Sequence, residues 1–142
     1  MCKIAFTCGV MDFCHKGHLN LLKKLYKEGL VIVFLHDNAS TFKNKKIRCH
    51  YNYTQRAKML MDTGYVYNIV KVNKPDPTPF FEKFLAHKNI EDLVYMRGDD
   101  WKDAPGLDYL KKQGVKMKFI KYTPGVSSTK LRKQYDGNNR NR

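Results

Sequence analysis

The stretch Thr7-Cys8-Gly9-Val10-Met11-Asp12-Phe13-Cys14-His15-Lys16-Gly17-His18 decides how this chain is read. On its N-terminal side the short apolar run Ile4-Ala5-Phe6 reads as a strand. On its C-terminal side Leu19, Leu21, Leu22, Leu25 and Tyr26 carry the three- and four-residue spacing of one helix face. The stretch is thus a strand-to-helix junction holding a glycine turn, an acid and two histidines. Ligands bind at such junctions in open α/β sheets. The helix start offers unpaired N–H groups and the positive end of its dipole to an anion.

His15 and His18 add side-chain donors at that place, and Gly17 lets the backbone approach a ligand with no Cβ between. Preorganised donors aimed at phosphate oxygens stabilise the charge that grows there during attack at phosphorus. Ordinary polar turn residues and helix capping are the competing reading. Zinc is a weaker one, because the segment lacks a third strong ligand.

Outward from the junction, strand and helix alternate. Strands are predicted over 3–7, 31–36, 65–72, 93–96 and 116–121. Helices are predicted from about Gly17 to Glu28, ended by Gly29 as a C-cap, and from Gln55 to a close at Gly64. Further helices run through Phe80, Phe81, Phe84 and Leu85, near 108–112 before Gly114, and over 127–134. Between Asp37 and His50 the composition reads as a polar, basic loop, and Pro75, Pro77 and Pro79 mark a turn. The rhythm predicts an α/β fold: a Rossmann-like parallel sheet of about five strands with helices on both faces. The glycines do not form G-x-G-x-x-G, which argues against hydride transfer.

At 142 residues the chain is one domain, expected over 1–134, with a frayed tail over 135–142. The longest apolar run, Leu30-Val31-Ile32-Val33-Phe34-Leu35, is far short of a membrane span and suits a central parallel strand. The first residues already read as strand, so no signal peptide and a cytoplasmic setting are expected. Cys2, Cys8, Cys14 and Cys49 lack C-x-x-C spacing and read as free thiols in a reducing compartment. The net charge of +14 raises the question of nucleic acid. No nucleic-acid-binding signature accompanies it, and an anionic small substrate plus a lysine-rich surface accounts for it.

The residues from Gly9 to His18 resemble the G-x-F-D-x-x-H-x-G-H signature of the cytidylyltransferase-like nucleotidyltransferases, with Met11 where phenylalanine is usual. Arg97-Gly98-Asp99-Asp100-Trp101 is similar to the G-D-D-W segment of bacterial glycerol-3-phosphate cytidylyltransferases. Thr123-Pro124-Gly125-Val126-Ser127-Ser128-Thr129-Lys130 is similar to their R-T-x-G-I-S-T-T-K segment. The three motifs stand in the family's order and cover the chain from Lys3 to about Gln134. Arginines common in the family are replaced here by Tyr122 and Gly64.

The resemblance implies catalytic roles for His15, His18 and Lys45, the lysine closing over the triphosphate with Lys46 beside it. It implies a nucleotide and substrate site built from Thr7, Gly9, Val10, Met11, Asp12, Gly17, Arg56 and Gly98. Asp99, Asp100 and Trp101 would hold cytidine and the acceptor, and Thr123, Gly125, Val126, Ser127, Ser128 and Thr129 the β- and γ-phosphates. Ser127 or Ser128 also suits a helix N-cap.

The activity implied is CTP-dependent transfer of CMP to a small phosphorylated alcohol, glycerol 3-phosphate first, with release of pyrophosphate. Mg²⁺ is the expected cofactor, Asp12 shaping the site indirectly, and a homodimer the expected assembly. The alternatives are phosphocholine or phosphoethanolamine as acceptor, adenylyl transfer from ATP, and a non-enzymatic nucleotide- or RNA-binding domain.

Overall fold

A computed structural model describes residues 3–12, 16–45, 49–98 and 104–121, with the backbone alone for 42–45. Five parallel strands form one sheet: β1 (Ile4–Gly9), β2 (Leu30–His36), β3 (Val66–Val72), β4 (Leu93–Gly98) and β5 (Lys116–Ile120). Their spatial order is β3-β2-β1-β4-β5. The chain therefore winds outward from β1 in one direction, then returns to β1's other side. Helix α1 (Lys16–Glu28) joins β1 to β2, and α2 (Asn38–Lys45) and α3 (Tyr53–Asp62) join β2 to β3. Helix α4 (Thr78–Leu85) precedes β4, and α5 (Leu107–Lys112) precedes β5. The expected Rossmann-like α/β sheet is the observed one.

Period-two alternation along the strands gives the two faces different chemistry. Ala5, Val31, Val33, Leu35, Val66, Val94 and Met96 pack with Leu21, Leu22 and Leu25 of α1 and Leu60 of α3 in an aliphatic core. Phe6, Phe34 and Tyr95 face the other way and pack with Phe81 and Phe84 of α4, their rings edge-on or tilted at 5.0 to 6.3 Å. Such geometry suits the ring quadrupoles.

Two expectations need correction, and a third gains a detail. Residues 38–45 are not loop but helix α2, because Asp37 caps it: its Oδ1 accepts the Ser40 N–H at 2.8 Å, and its carbonyl accepts the Thr41 N–H at 3.2 Å. Gly29 directly follows α1 and donates its N–H to the Leu25 carbonyl at 3.2 Å, so it ends the helix as expected, but without the positive φ found at Gly64, Gly106 and Gly114. An added Cβ at Gly29 would run into the Lys3 carbonyl, so a close approach of the chain to β1 requires glycine there. Finally, β1 and β4 each run further than expected, to Gly9 and Gly98, and carry the motif residues up to the sheet's rim. The expected helix over 127–134 and the tail lie outside the described residues.

Candidate functional site

The reversal of strand order between β1 and β4 puts a topological switch point at the C-terminal rim. The pairing opens a crevice there. β1 stays in register with β2 as far as Gly9↔Leu35, and β4 with β5 as far as Gly98↔Ile120. Between β1 and β4 the register ends at Phe6↔Tyr95, so the two strands part over Thr7–Gly9 and Met96–Gly98. Arg97 Nη1 bridges the gap by donating to the Cys8 carbonyl at 2.9 Å and to the Tyr95 hydroxyl at 3.3 Å. Burial pushes the Tyr95 phenol up to about 12, against the opposing pull of Arg97, so it stays neutral at physiological pH.

Thr7 lies in the parted segment. It is fully buried, and its Oγ1 is the buried side-chain oxygen left without a partner among the described residues. A buried hydroxyl without a partner costs about 1–3 kcal/mol. Beyond Gly9 the chain turns at Met11, whose φ of 54° is left-handed although it is not glycine. Strain of that kind persists where the surroundings fix it, and functional sites collect it. Here Met11 is held by burial in the aliphatic core, and its Cε would stand 3.5 Å from a Cβ placed on Gly9.

Asp12 is buried and engaged with backbone. Its Oδ2 accepts the His50 N–H at 2.8 Å and its Oδ1 the Tyr51 N–H at 3.1 Å. The signature turn is thereby tied to the segment that leads into α3. Arg56, fully buried on α3, ties the same parts together from below. Its Nη1 donates to the Val10 and His36 carbonyls, both at 2.8 Å. Its Nε donates to the Tyr51 carbonyl at 3.0 Å and its Nη2 to Asn38 Oδ1 at 2.7 Å. Burial lowers the guanidinium's pKa from its ordinary value, and the nearby Asp12 and Asp37 oppose that shift. Arg56 thus fixes the backbone around the crevice; the described contacts commit it to protein acceptors.

Gly17 and His18 sit in the first turn of α1, partly buried, beside the crevice. Thr7, Gly9, Val10, Met11, Asp12, Gly17, His18 and Gly98 are therefore gathered at one rim, with Arg56 beneath. Lys45 ends α2 rather than sitting in a loop. His15, Lys46, Asp99, Asp100, Trp101, Thr123, Gly125, Val126, Ser127, Ser128 and Thr129 lie outside the described residues. The sequence reading missed His50 and Tyr51, which offer the amides that hold Asp12; backbone donors leave no residue-type signal.

The chain matches a family model described as cytidylyltransferase-like over residues 6–134. It is 30% identical over 141 residues to the glycerol-3-phosphate cytidylyltransferase of Staphylococcus aureus, covering 95% of this chain and 96% of that protein. It is 28% identical to the bifunctional protein HldE of Campylobacter concisus, spanning 93% of this chain but only 27% of that longer protein. Among solved structures, a lipopolysaccharide core biosynthesis protein from Thermoplasma volcanium superposes with a TM-score of 0.64 at 18% identity, over 87% of this chain and 98% of that one. A pantoate-beta-alanine ligase from Francisella tularensis, complexed with beta-gamma ATP and beta-alanine, gives 0.55 at 17% identity, over 92% of this chain and 65% of that one. These two likenesses concern the fold.

Proposed function

The chain belongs to the cytidylyltransferase-like family of nucleotidyltransferases, and on that premise we propose that it joins CMP from CTP to a small phosphomonoester alcohol, glycerol 3-phosphate first. The observation that carries the reading is the position of the signature turn. It lies at the switch point of the sheet, where β1 and β4 part and α1 begins. The acceptor's identity rests on the similarity to the staphylococcal enzyme along nearly the whole of both chains.

In this mechanism a phosphate oxygen of the acceptor attacks the α-phosphorus of CTP in line, and pyrophosphate leaves. The acceptor phosphate is already a competent nucleophile, so no covalent enzyme intermediate is needed. The amides at the start of α1 and the His18 side chain, with His15 preceding them in sequence, stabilise the charge that develops on the transferring and leaving oxygens. Arg56 and Asp12 keep the turn in place through their hydrogen bonds to the main chain.

Asp12 is occupied by two backbone amides, and among the described residues no group of three His, Cys, Asp or Glu converges on a metal position. Mg²⁺ brought in with CTP would be held through the nucleotide's own phosphate oxygens, where it would screen their charge. Assembly as a homodimer belongs to the same proposal; light scattering at several concentrations tests it, and a strict monomer rejects it. No helix among the described residues is long and apolar enough to cross a membrane.

Pyrophosphate release from CTP, measured across glycerol 3-phosphate, phosphocholine and phosphoethanolamine, tests the activity. Turnover is expected with glycerol 3-phosphate fastest. His18→Ala should lower kcat about a hundredfold or more, on the order of 3 kcal/mol, with a smaller effect on CTP binding. Folded protein that turns over none of the three acceptors, or that prefers ATP, would count against it.

A further inference from the structure

Cys8 and His36 meet on the aromatic side of the sheet, next to the crevice but outside the signature turn. Cys8 Sγ lies 3.6 Å from His36 Nε2, and His36 Nδ1 lies 3.0 Å from Ser40 Oγ. The three residues are 5%, 7% and 1% exposed. The Ser40 hydroxyl stands 3.2 Å from the Val72 carbonyl oxygen and 3.3 Å from that of Asp37. Its proton goes to a main-chain oxygen, and its own oxygen receives the proton on Nδ1. The imidazole then turns the Nε2 lone pair toward the Cys8 S–H.

A thiol, a base within hydrogen-bond reach and a third group that orients the base form the arrangement that activates a cysteine. Two guanidinium groups add positive charge at the main chain of this pair. Arg97 donates to the Cys8 carbonyl at 2.9 Å and Arg56 to the His36 carbonyl at 2.8 Å. The neighbouring carboxylate, Asp37, uses Oδ1 to accept the Ser40 N–H, and the neutral Tyr95 phenol accepts from Arg97. These two cations offset part of the cost of charging a thiol packed among Phe6, Phe34 and Tyr95.

We propose that Cys8, with His36 as its base and Ser40 orienting that base, is a thiol-modification site for small hydroperoxides beside the nucleotide crevice. The S–H proton passes to His36 Nε2. The thiolate sulfur takes the terminal peroxide oxygen as the O–O bond breaks, and the departing oxygen takes the proton. Cys8 becomes a sulfenic acid, and the peroxide is reduced to water or an alcohol. The low exposure of Cys8 restricts the reagent to a small one. Oxidation adds an oxygen atom between strands whose carbonyls anchor Arg97 and Arg56, so it disturbs the parted segment of β1.

Cys49 is the internal control: it is the more exposed of the two cysteines the structure describes and it too lies near Arg56, so exposure and that guanidinium's charge alone favour its reaction over that of Cys8. Hydrogen peroxide with a dimedone trap, read by peptide mass spectrometry on the full chain, should label Cys8 about tenfold faster than Cys49. His36→Asn should abolish that advantage, and Ser40→Ala should reduce it. On the unaltered chain, the rate of alkylation of Cys8 by iodoacetamide should stay high at pH values where an ordinary thiol is protonated. Faster labelling of Cys49, an unchanged Cys8 rate in His36→Asn, or an ordinary thiol pH profile at Cys8 would each overturn the proposal. One further arm rests on the transferase reading: Cys8→Ser should keep CTP turnover through a peroxide treatment that silences the unaltered chain. Equal silencing of both would reject the coupling to the crevice, while the labelling results stand by themselves.

Discussion

At the C-terminal rim of the sheet, Asp12, His36, Ser40 and Arg56 are all buried, and each is met by named hydrogen-bond partners. At the N-terminal rim the side chains do the reverse. Tyr26 and Tyr67 are 59% and 60% exposed, and Leu30 and Met61 also stand out of the core. The same strands begin in one environment and end in the other. Burying polar groups is costly unless each is satisfied, so a rim that does so is held in one arrangement. Exposed apolar groups impose no such constraint. The contrast places structural precision where the signature lies, and single substitutions on either rim test it.

The largest effect is expected at Arg56. Replacement by alanine removes donors from the Val10, His36 and Tyr51 carbonyls and from Asn38 at once. Buried acceptors left unpaired cost about 1–3 kcal/mol each before relaxation, so Arg56→Ala should lose at least about 3 kcal/mol in urea unfolding. Arg56→Lys should recover only part of this, because one ammonium cannot span the four acceptors. A loss below about 1 kcal/mol for Arg56→Ala would remove the distinction between the rims.

Gly29 is the exception that the N-terminal rim contains. Its missing Cβ leaves room for the Lys3 carbonyl, which accepts the Leu30 N–H at 2.9 Å. The obstacle is backbone at the first β1–β2 pairing, so it yields only by moving a strand. Gly29→Ala should destabilise by about 2 kcal/mol, within the usual range for overpacking, while Tyr67→Thr at the same rim should change stability by less than about 0.5 kcal/mol. Equal midpoints for the two variants would show that β1 and β2 can separate there.

These positions also mark where sequence reading succeeded. The sheet was legible because its strands are short apolar runs and α1 keeps a clean helical period. The signature at a strand-to-helix junction was legible for the same reason, and the sheet order then puts that junction at the switch point. Helix α2 was not, since Asn38, Ser40, Thr41 and Asn44 are residues of turns as much as of helices, and the deciding cap at Asp37 is a single contact. Gly29 ends α1 as its place in the sequence suggests, but its close approach to Lys3 was hidden, because helix termination and close packing call for the same residue. Arg56 looks like a surface or ligand-facing cation until its acceptors are seen, and those acceptors are carbonyls distant in sequence. The Cys8–His36 contact was hidden because it joins residues on neighbouring strands.

Within the C-terminal rim, Asp12→Asn gives a finer measure. The carboxylate accepts two amide donors, one on each oxygen, whereas an amide side chain keeps one oxygen and turns an NH₂ toward the other donor. Loss of one charge-assisted bond should cost about 1–3 kcal/mol of stability, less than at Arg56. Under the proposed activity kcat should fall as well, since the turn before α1 loses its tie to His50 and Tyr51. Unaltered stability and kcat in Asp12→Asn would mean that the turn is held by its other contacts alone.

The smallest effect is expected at the ion pair between Glu28, at the end of α1, and Lys118 on β5, where Oε1 and Nζ lie 2.6 Å apart. Both side chains remain about one-third exposed, so water and salt screen the pair, and its contribution should be a few tenths of a kcal/mol. The hydrogen bond and charge of Lys118 hold the Glu28 carboxyl below its ordinary value. A carboxyl with a lower pKa in the folded state binds fewer protons there than in the unfolded chain. The bridge therefore contributes fully above the unfolded carboxyl value, and the contribution is lost as pH falls through the lower folded value. Glu28→Gln should thus lower the urea midpoint slightly at neutral pH in low salt and leave it unchanged in strong acid or high salt. A deficit that persists in acid would assign the effect to packing of α1 against β5 rather than to charge, and the N-terminal half of the sheet would then need contacts as specific as those around Arg56.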